Sequence, residues 1–208
     1  FTAKSFASNL FTAPAPPSPE QFRHEFFTIA DGKWFSVFPF LWSFVLSLGF
    51  RLGIENFVPP LIGSLGVYTT LLLAQKMLGR SVALLAGVLM ITSPWFHALG
   101  SNLLSHTLGY LLLTTILLLW FSYRETEKQS RLFSLLFFEI CLFNVRPLTA
   151  FCIGIIIFID GIREKRLSLK NILICGVLGA AGVATLTWGY NYIRTGTYDF
   201  WQFNGGYS

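Results

Sequence analysis

Arg146 is the side chain in this sequence most at odds with its neighbours. It stands in Leu-Phe-Asn-Val-Arg-Pro-Leu-Thr-Ala-Phe, inside an apolar stretch that covers 132–159. A cation in such a stretch costs roughly 2.5–3.5 kcal/mol on insertion-type scales. A chain bears that cost where the charge meets a cavity, a partner charge or a ligand. Pro147 interrupts helix hydrogen bonding at the same point, so the cation is expected where a helix breaks. A planar guanidinium matches phosphate oxygens two at a time. An anionic ligand is therefore the first reading, and an ion pair inside a helix bundle is the plainer one. Glu139 is the nearest acid in sequence, but it lies about 10 Å away along the helix axis, so direct pairing requires unwinding.

His106 follows Ser105 in Asn-Leu-Leu-Ser-His-Thr, and is expected about one turn into an apolar helix. Neutral, it can donate to a phosphate or a sugar hydroxyl; protonated, it adds charge. Its plain reading is a hydrogen bond to neighbouring backbone. A second group of candidates lies in 24–38, where charges and aromatics mix: His24, Lys33, Trp34, Phe35 and Phe38. Trp34 and the phenylalanines can stack on a sugar or line a lipid, whereas Lys33 reads more simply as a solvated charge. Asp31-Gly32 is a turn signal.

The elements that must position these residues follow from composition. Hydrophobic residues make up 53% of the chain and charged residues 12%, with a mean hydropathy of +0.60. A soluble domain of 208 residues carries more charge than this. Six apolar runs, 57–75, 82–99, 103–121, 132–144, 148–159 and 171–193, are candidates to cross a bilayer. The run 38–50 is too short for a core of roughly 30 Å; it suits a helix in the outer interface. The expectation is an all-α membrane protein: an extracytoplasmic segment over 1–56 with an interfacial helix, a transmembrane bundle over 57–193, and a further extracytoplasmic segment beginning at 194–208. Because the chain begins with Phe1 rather than Met and stops at Ser208 without a closing element, it is read as an internal fragment.

Charge placement sets the expected topology. Lys76 with Arg80, Arg124 with Lys128 and Arg131, and Arg163 with Lys165, Arg166 and Lys170 occupy three connections, all expected on the cytoplasmic side. The net charge of +5 fits these loops and not a nucleic-acid surface, so no nucleic-acid partner is expected. The scheme requires 132–159 to form two short helices meeting near Arg146-Pro147, with their apex at the floor of a vestibule. Ser105, His106 and Arg146 then share the outer side. Cys141, Cys152 and Cys175 lie inside apolar runs and read as small hydrophobes. No phosphate-binding loop, nucleophile elbow or metal-ligand cluster is present in the sequence.

Six landmarks in one order resemble a known family. The stretch Asp31-Gly-Lys-Trp-Phe-Ser-Val-Phe-Pro39-Phe-Leu-Trp is similar to the GxWxSxYPPG stretch of bacterial polytopic glycosyltransferases of the protein-mannosyltransferase and aminoarabinose-transferase superfamily. Leu78-Gly-Arg-Ser-Val-Ala-Leu-Leu-Ala86 resembles its LFGRRVALLAA turn. Ser93-Pro94, Ser105-His106-Thr107 and Arg146-Pro147-Leu-Thr-Ala150 follow, and Tyr190-Asn-Tyr-Ile-Arg-Thr-Gly196 resembles an NYxxTG helix end. The chain departs at Phe40, where the family favours a second proline.

The resemblance implies a GT-C-like helical bundle. It also implies transfer of a sugar from a polyprenyl-phosphate carrier to an envelope acceptor, outside the cytoplasmic membrane of a bacterium. The partners would be that carrier and membrane lipid. The catalytic acid is expected upstream of Phe1, and no cofactor is assigned beyond leaving a divalent metal open. Arg146 is the first choice for the carrier phosphate, His106 with Ser105 the second, and His24, Lys33 and Trp34 the outer contacts. Broken helices around a cation are also a transporter feature, and a non-transferase envelope-polysaccharide protein is the third reading.

Overall fold

The computed structural model describes residues 2–10, 12–17, 27–30, 32–36 and 38–196. Most of them are helical: α1 Thr2–Ala7, α2 Phe40–Leu52, α3 Val58–Leu78, α4 Arg80–Thr92, α5 Pro94–Gly100, α6 His106–Thr126, α7 Gln129–Phe143, α8 Pro147–Arg163 and α9 Leu169–Thr195. A short 3₁₀ turn, Glu55–Phe57, leads into α3. The segment before α2 adds something the helical reading did not contain. A three-stranded antiparallel sheet orders as β1 (Ala13–Pro14), β3 (Lys33–Ser36) and β2 (Phe27–Ala30). Its β2–β3 register pairs Ala30 with Lys33, and Gly32 takes the left-handed conformation, φ 69°, that such a tight link needs. Asp31 itself lies outside the described residues.

Helix α6 is the centre of the bundle. Leu108, Leu112, Ile116, Trp120 and Tyr123 repeat at three- and four-residue intervals and form one buried stripe. Helices α3 and α7 pack against α6, α4 lies on α3, and α8 and α9 lie on α7. Trp42 and Leu46 of α2 enter the same core. The outside of the bundle is equally apolar: Leu148 is 76% exposed, Trp95 73% and Leu169 72%. Contiguous apolar surface on this scale is a surface for lipid or a partner, not for water.

Among the described residues three helices are long and apolar enough to cross a membrane: Glu55–Leu78, His106–Thr126 and Leu169–Arg194. A fourth span exists only if the bent pair Arg80–Thr92 and Pro94–Gly100 is counted as one. The count therefore falls short of the six expected runs, for two local reasons. The run 82–99 is bent by 66° at Ser93, where Pro94 opens a new helix and the Ser93 hydroxyl caps it by accepting the Phe96 N–H at 3.4 Å. Helices α7 and α8 have 15 and 17 residues, about 22 and 25 Å, short of a core of roughly 30 Å. Helix α2, with 13 residues, is shorter still. Its N-cap is Pro39 and its first residue is Phe40, a position where a proline would also fit, so the departure at Phe40 leaves this helix start unaltered.

The two ends of the bundle differ in charge. Connections 76–80, 124–131 and 160–170 hold nine Lys and Arg against four Asp and Glu. That difference equals the whole formal charge of the chain, +5. The charges interlock: Lys76 meets Glu125, Arg166 meets Glu127 at 2.6 Å, and Arg124 reaches Asp160 at 3.4 Å. Trp120 Nε1 donates to Asp160 at 2.8 Å, and Tyr123 Oη donates to the Arg166 carbonyl at 3.1 Å. The opposite end collects α1, α2, the sheet, the start of α6, the α7–α8 break and the end of α9. Residues 197–208 lie outside the described residues.

Candidate functional site at the helix break

Helix α7 stops at Phe143 and α8 starts at Pro147. Pro147 occupies N1, where its missing N–H costs nothing, and Arg146 is the N-cap, with extended backbone at φ −147° and ψ 84°. The break is tied down from several sides. Arg146 N donates to the Leu142 carbonyl at 2.7 Å, and Arg146 O accepts from Ala150 at 3.1 Å. Asn144 is buried; its Nδ2 donates to the Ile140 carbonyl at 2.9 Å, and its carbonyl accepts the Leu41 N–H at 3.3 Å. Thr187 Oγ1 of α9 donates to Asn144 Oδ1 at 3.5 Å. Thr187 is eight residues short of the end of α9, so the break sits about 12 Å below that tip.

The Arg146 side chain crosses to α6. Its Nη2 donates to His106 Nδ1. A guanidinium has no lone pair to offer, so Nδ1 is the acceptor and the imidazole proton sits on Nε2. The crossing is possible because Gly109 stands one turn along α6. A Cβ there would lie 2.9 Å from Arg146 Cδ and 3.4 Å from Nε. The plainer reading of an ion pair does not hold among the described residues: Arg146 shares no salt bridge with an acid, and its Nε is buried without an acceptor. Thr107, next to His106 in sequence, is buried with its hydroxyl unpaired among the described residues, but it faces Gly63 of α3.

His106 is not one turn into its helix; it is the first residue of α6, with Ser105 as N-cap. The reason is local. Asn102 Oδ1 accepts the Leu104 N–H at 3.0 Å, and Asn102 Nδ2 and Ser101 Oγ both donate to Ala98 O, at 3.1 Å each. These side-chain bonds hold 101–105 in turns and delay the helix. Ser105 contributes its carbonyl, which accepts the Gly109 N–H at 3.0 Å, and no side-chain cap bond. The loop before it is held by Trp42, whose Nε1 donates to Leu103 O at 2.7 Å. Helix α2 therefore touches the backbone two residues before Arg146, through Leu41, and three residues before His106, through Trp42.

The remaining candidates sit elsewhere. Lys33 is exposed and Trp34 half-buried on β3, and neither shares a hydrogen bond with Arg146 or His106. His24 lies outside the described residues. Among the described residues no group of three or more His, Cys, Asp or Glu is arranged to hold a metal ion.

Sequence reasoning passed over a buried cation. Arg194, 2% exposed, donates through Nη1 to Ser36 O at 2.5 Å and through Nη2 to Asn191 Oδ1 at 2.9 Å. Its guanidinium lies 4.6 Å from the Phe35 ring and 5.0 Å from the Tyr190 ring, and Tyr190 stacks on Phe40 at 4.9 Å. Arg194 therefore fastens the sheet to α9. The signal was present in the spacing, since Tyr190 and Asn191 precede Arg194 by four and three residues on one helix face.

Comparison with known protein families, curated proteins and solved structures finds no match for this chain.

Proposed function

We propose that this chain forms the phosphate-holding part of a polytopic glycosyltransferase. The enzyme would move a sugar from a polyprenyl-phosphate carrier to an envelope acceptor at the outer face of a bacterial cytoplasmic membrane. The observation that carries the reading is Arg146: a cation at a helix break, turned into the bundle, held by a neutral imidazole and left without a carboxylate. The net positive charge gathered at the opposite end supports placing that end in the cytoplasm and the helix break outside. The six motifs in one order support the same reading.

The chemistry follows from charge. When the sugar leaves its carrier, negative charge develops on the lipid phosphate, and donors already aimed at that position lower the barrier. Arg146 keeps Nη1 free of partners among the described residues, and His106 with Nδ1 occupied presents Nε2–H. Together they make a cationic, donor-rich cradle for a tetrahedral anion. A general base would act on the acceptor hydroxyl.

Binding of a polyprenyl phosphate to the purified protein in lipid nanodiscs tests the reading. A hydrogen bond to a charged group is worth about 1.5–3 kcal/mol, so Arg146→Ala is expected to weaken binding by about 10–150-fold and to stop sugar transfer in membranes. Unaltered binding in that variant would end the phosphate role. The bend at Ser93-Pro94 and the break at Arg146-Pro147 together interrupt two helices, which also suits a transporter. Uptake of a phosphorylated sugar into vesicles, without transfer, would select that second reading.

A further inference from the structure

A second ionisable group stands inside the bundle and takes no part in the Arg146 site. Glu139 lies on α7 four residues before the helix ends. No donor among the described residues reaches either carboxyl oxygen, and Glu139 enters no ion pair. Oε2 is buried without a partner. Oε1 lies 3.1 Å from the point where a Cβ would project from Gly154 of α8, so the missing side chain there is what makes room for the acid.

The carboxyl lines a cleft of about 240 Å³ between α7, α8 and α9. Leu135, Leu136, Ile157, Ile172 and Cys175 make its walls. Asn171 is its other hydrogen-bonding side chain, and Asn171 Nδ2 already faces Tyr123 Oη at 3.4 Å. On α7 the lining runs from Leu132 to Glu139, about 10 Å along the axis. An acid with no donor, embedded among apolar side chains of a membrane bundle, marks a functional position. What would complete this one is limited by its walls. The occupant must be apolar along its length and carry one donor at the end that reaches Glu139. A phosphate or sulfate head would set an anion against the acid. A sugar would leave most of its hydroxyls unpaired.

We propose that this cleft is a second ligand site, which takes a membrane-borne apolar chain ending in an amine or a hydroxyl that donates to the Glu139 carboxyl. The site does not depend on the glycosyl-transfer reading. Its occupant enters from the lipid side, and the Gly154 gap sets where the donor rests.

Dicyclohexylcarbodiimide, a carboxyl reagent that partitions into hydrocarbon, tests the site on the wild-type protein in lipid nanodiscs. The reagent adds across the carboxyl O–H and rearranges to a stable N-acylurea, located by peptide mass spectrometry. Labelling is expected at Glu139 and is expected to slow at least tenfold when N,N-dimethyldodecylamine, which donates as its ammonium but forms no stable amide, or dodecanol is present. Protection by the amine alone assigns a cationic donor; protection by both assigns a neutral hydrogen bond. Dodecyl sulfate, of equal chain length, should not protect. Absence of label at Glu139, a rate unmoved by both donors, or equal protection by dodecyl sulfate overturns the proposal. So does label that persists at the same peptide in Glu139→Gln.

Discussion

Replacing Gly109 with alanine adds one methyl group and asks a sharp question of the proposed phosphate site. The new Cβ would lie 2.9 Å from Arg146 Cδ, 3.4 Å from Nε and 3.6 Å from Cγ. The atoms it meets are mid-chain, and the far end of that chain is held on His106, so the arginine cannot yield without pulling its guanidinium away from the imidazole. Overpacking of this kind costs about 1–3 kcal/mol, while alanine gains about 0.8–1 kcal/mol over glycine inside a helix. Net stability should therefore fall by at most about 2 kcal/mol, and the protein should still fold. The guanidinium, however, leaves its place. The loss of one charged hydrogen bond, about 1.5–3 kcal/mol, translates into polyprenyl-phosphate binding weaker by about 10–150-fold. A double-mutant cycle isolates the cause. In an Arg146→Ala background the added methyl group has nothing to strike, so Gly109→Ala should leave binding unchanged and raise the thermal midpoint. Equal effects of Gly109→Ala in both backgrounds, or full binding in the single variant, would refute the claim that Gly109 places Arg146 for a ligand.

Two further outcomes test the frame around the site. Arg194→Met keeps most of the buried volume but removes the donors to Ser36 O and Asn191 Oδ1; a loss of about 1.5–3 kcal/mol should raise hydrogen exchange at Trp34–Ser36 by about 10–150-fold, and unaltered exchange there would show that Arg194 does not fasten the sheet. Single cysteines report the orientation: Lys33→Cys should react with an impermeant maleimide on intact cells, and Lys128→Cys only after permeabilisation, with the reverse pattern defeating the outward placement of Arg146.

The parts of this structure legible in the sequence are those set by residues close together along the chain. Pro147 beside Arg146 fixed where α7 and α8 part, because proline both lacks a donor and crowds the preceding turn. The apolar runs 103–121 and 171–193 marked α6 and α9. The three-stranded sheet was not legible. β1 pairs Ala13 with Trp34 across twenty residues, and its two-residue length offers no alternation to read. The bend at Ser93 was visible as Ser-Pro, but a hydropathy run averages over such a dipeptide and returns one span where the chain makes two helices.

The candidate site divides the same way. That Arg146 is costly was readable from its neighbours; that it meets His106 was not, because the contact spans forty positions and depends on the absence of a side chain at Gly109. A glycine in a membrane helix signals close approach without saying of what. Gly109 and Gly154 carry the same residue type in similar apolar contexts, yet one admits a guanidinium and the other a carboxyl. Arg146 at the start of α8 and Glu139 on α7 are thereby turned to different helices, α6 and α8, and do not pair with each other. Both proposals require that separation, and a sequence in which the two paired would have the same composition and hydropathy with neither site.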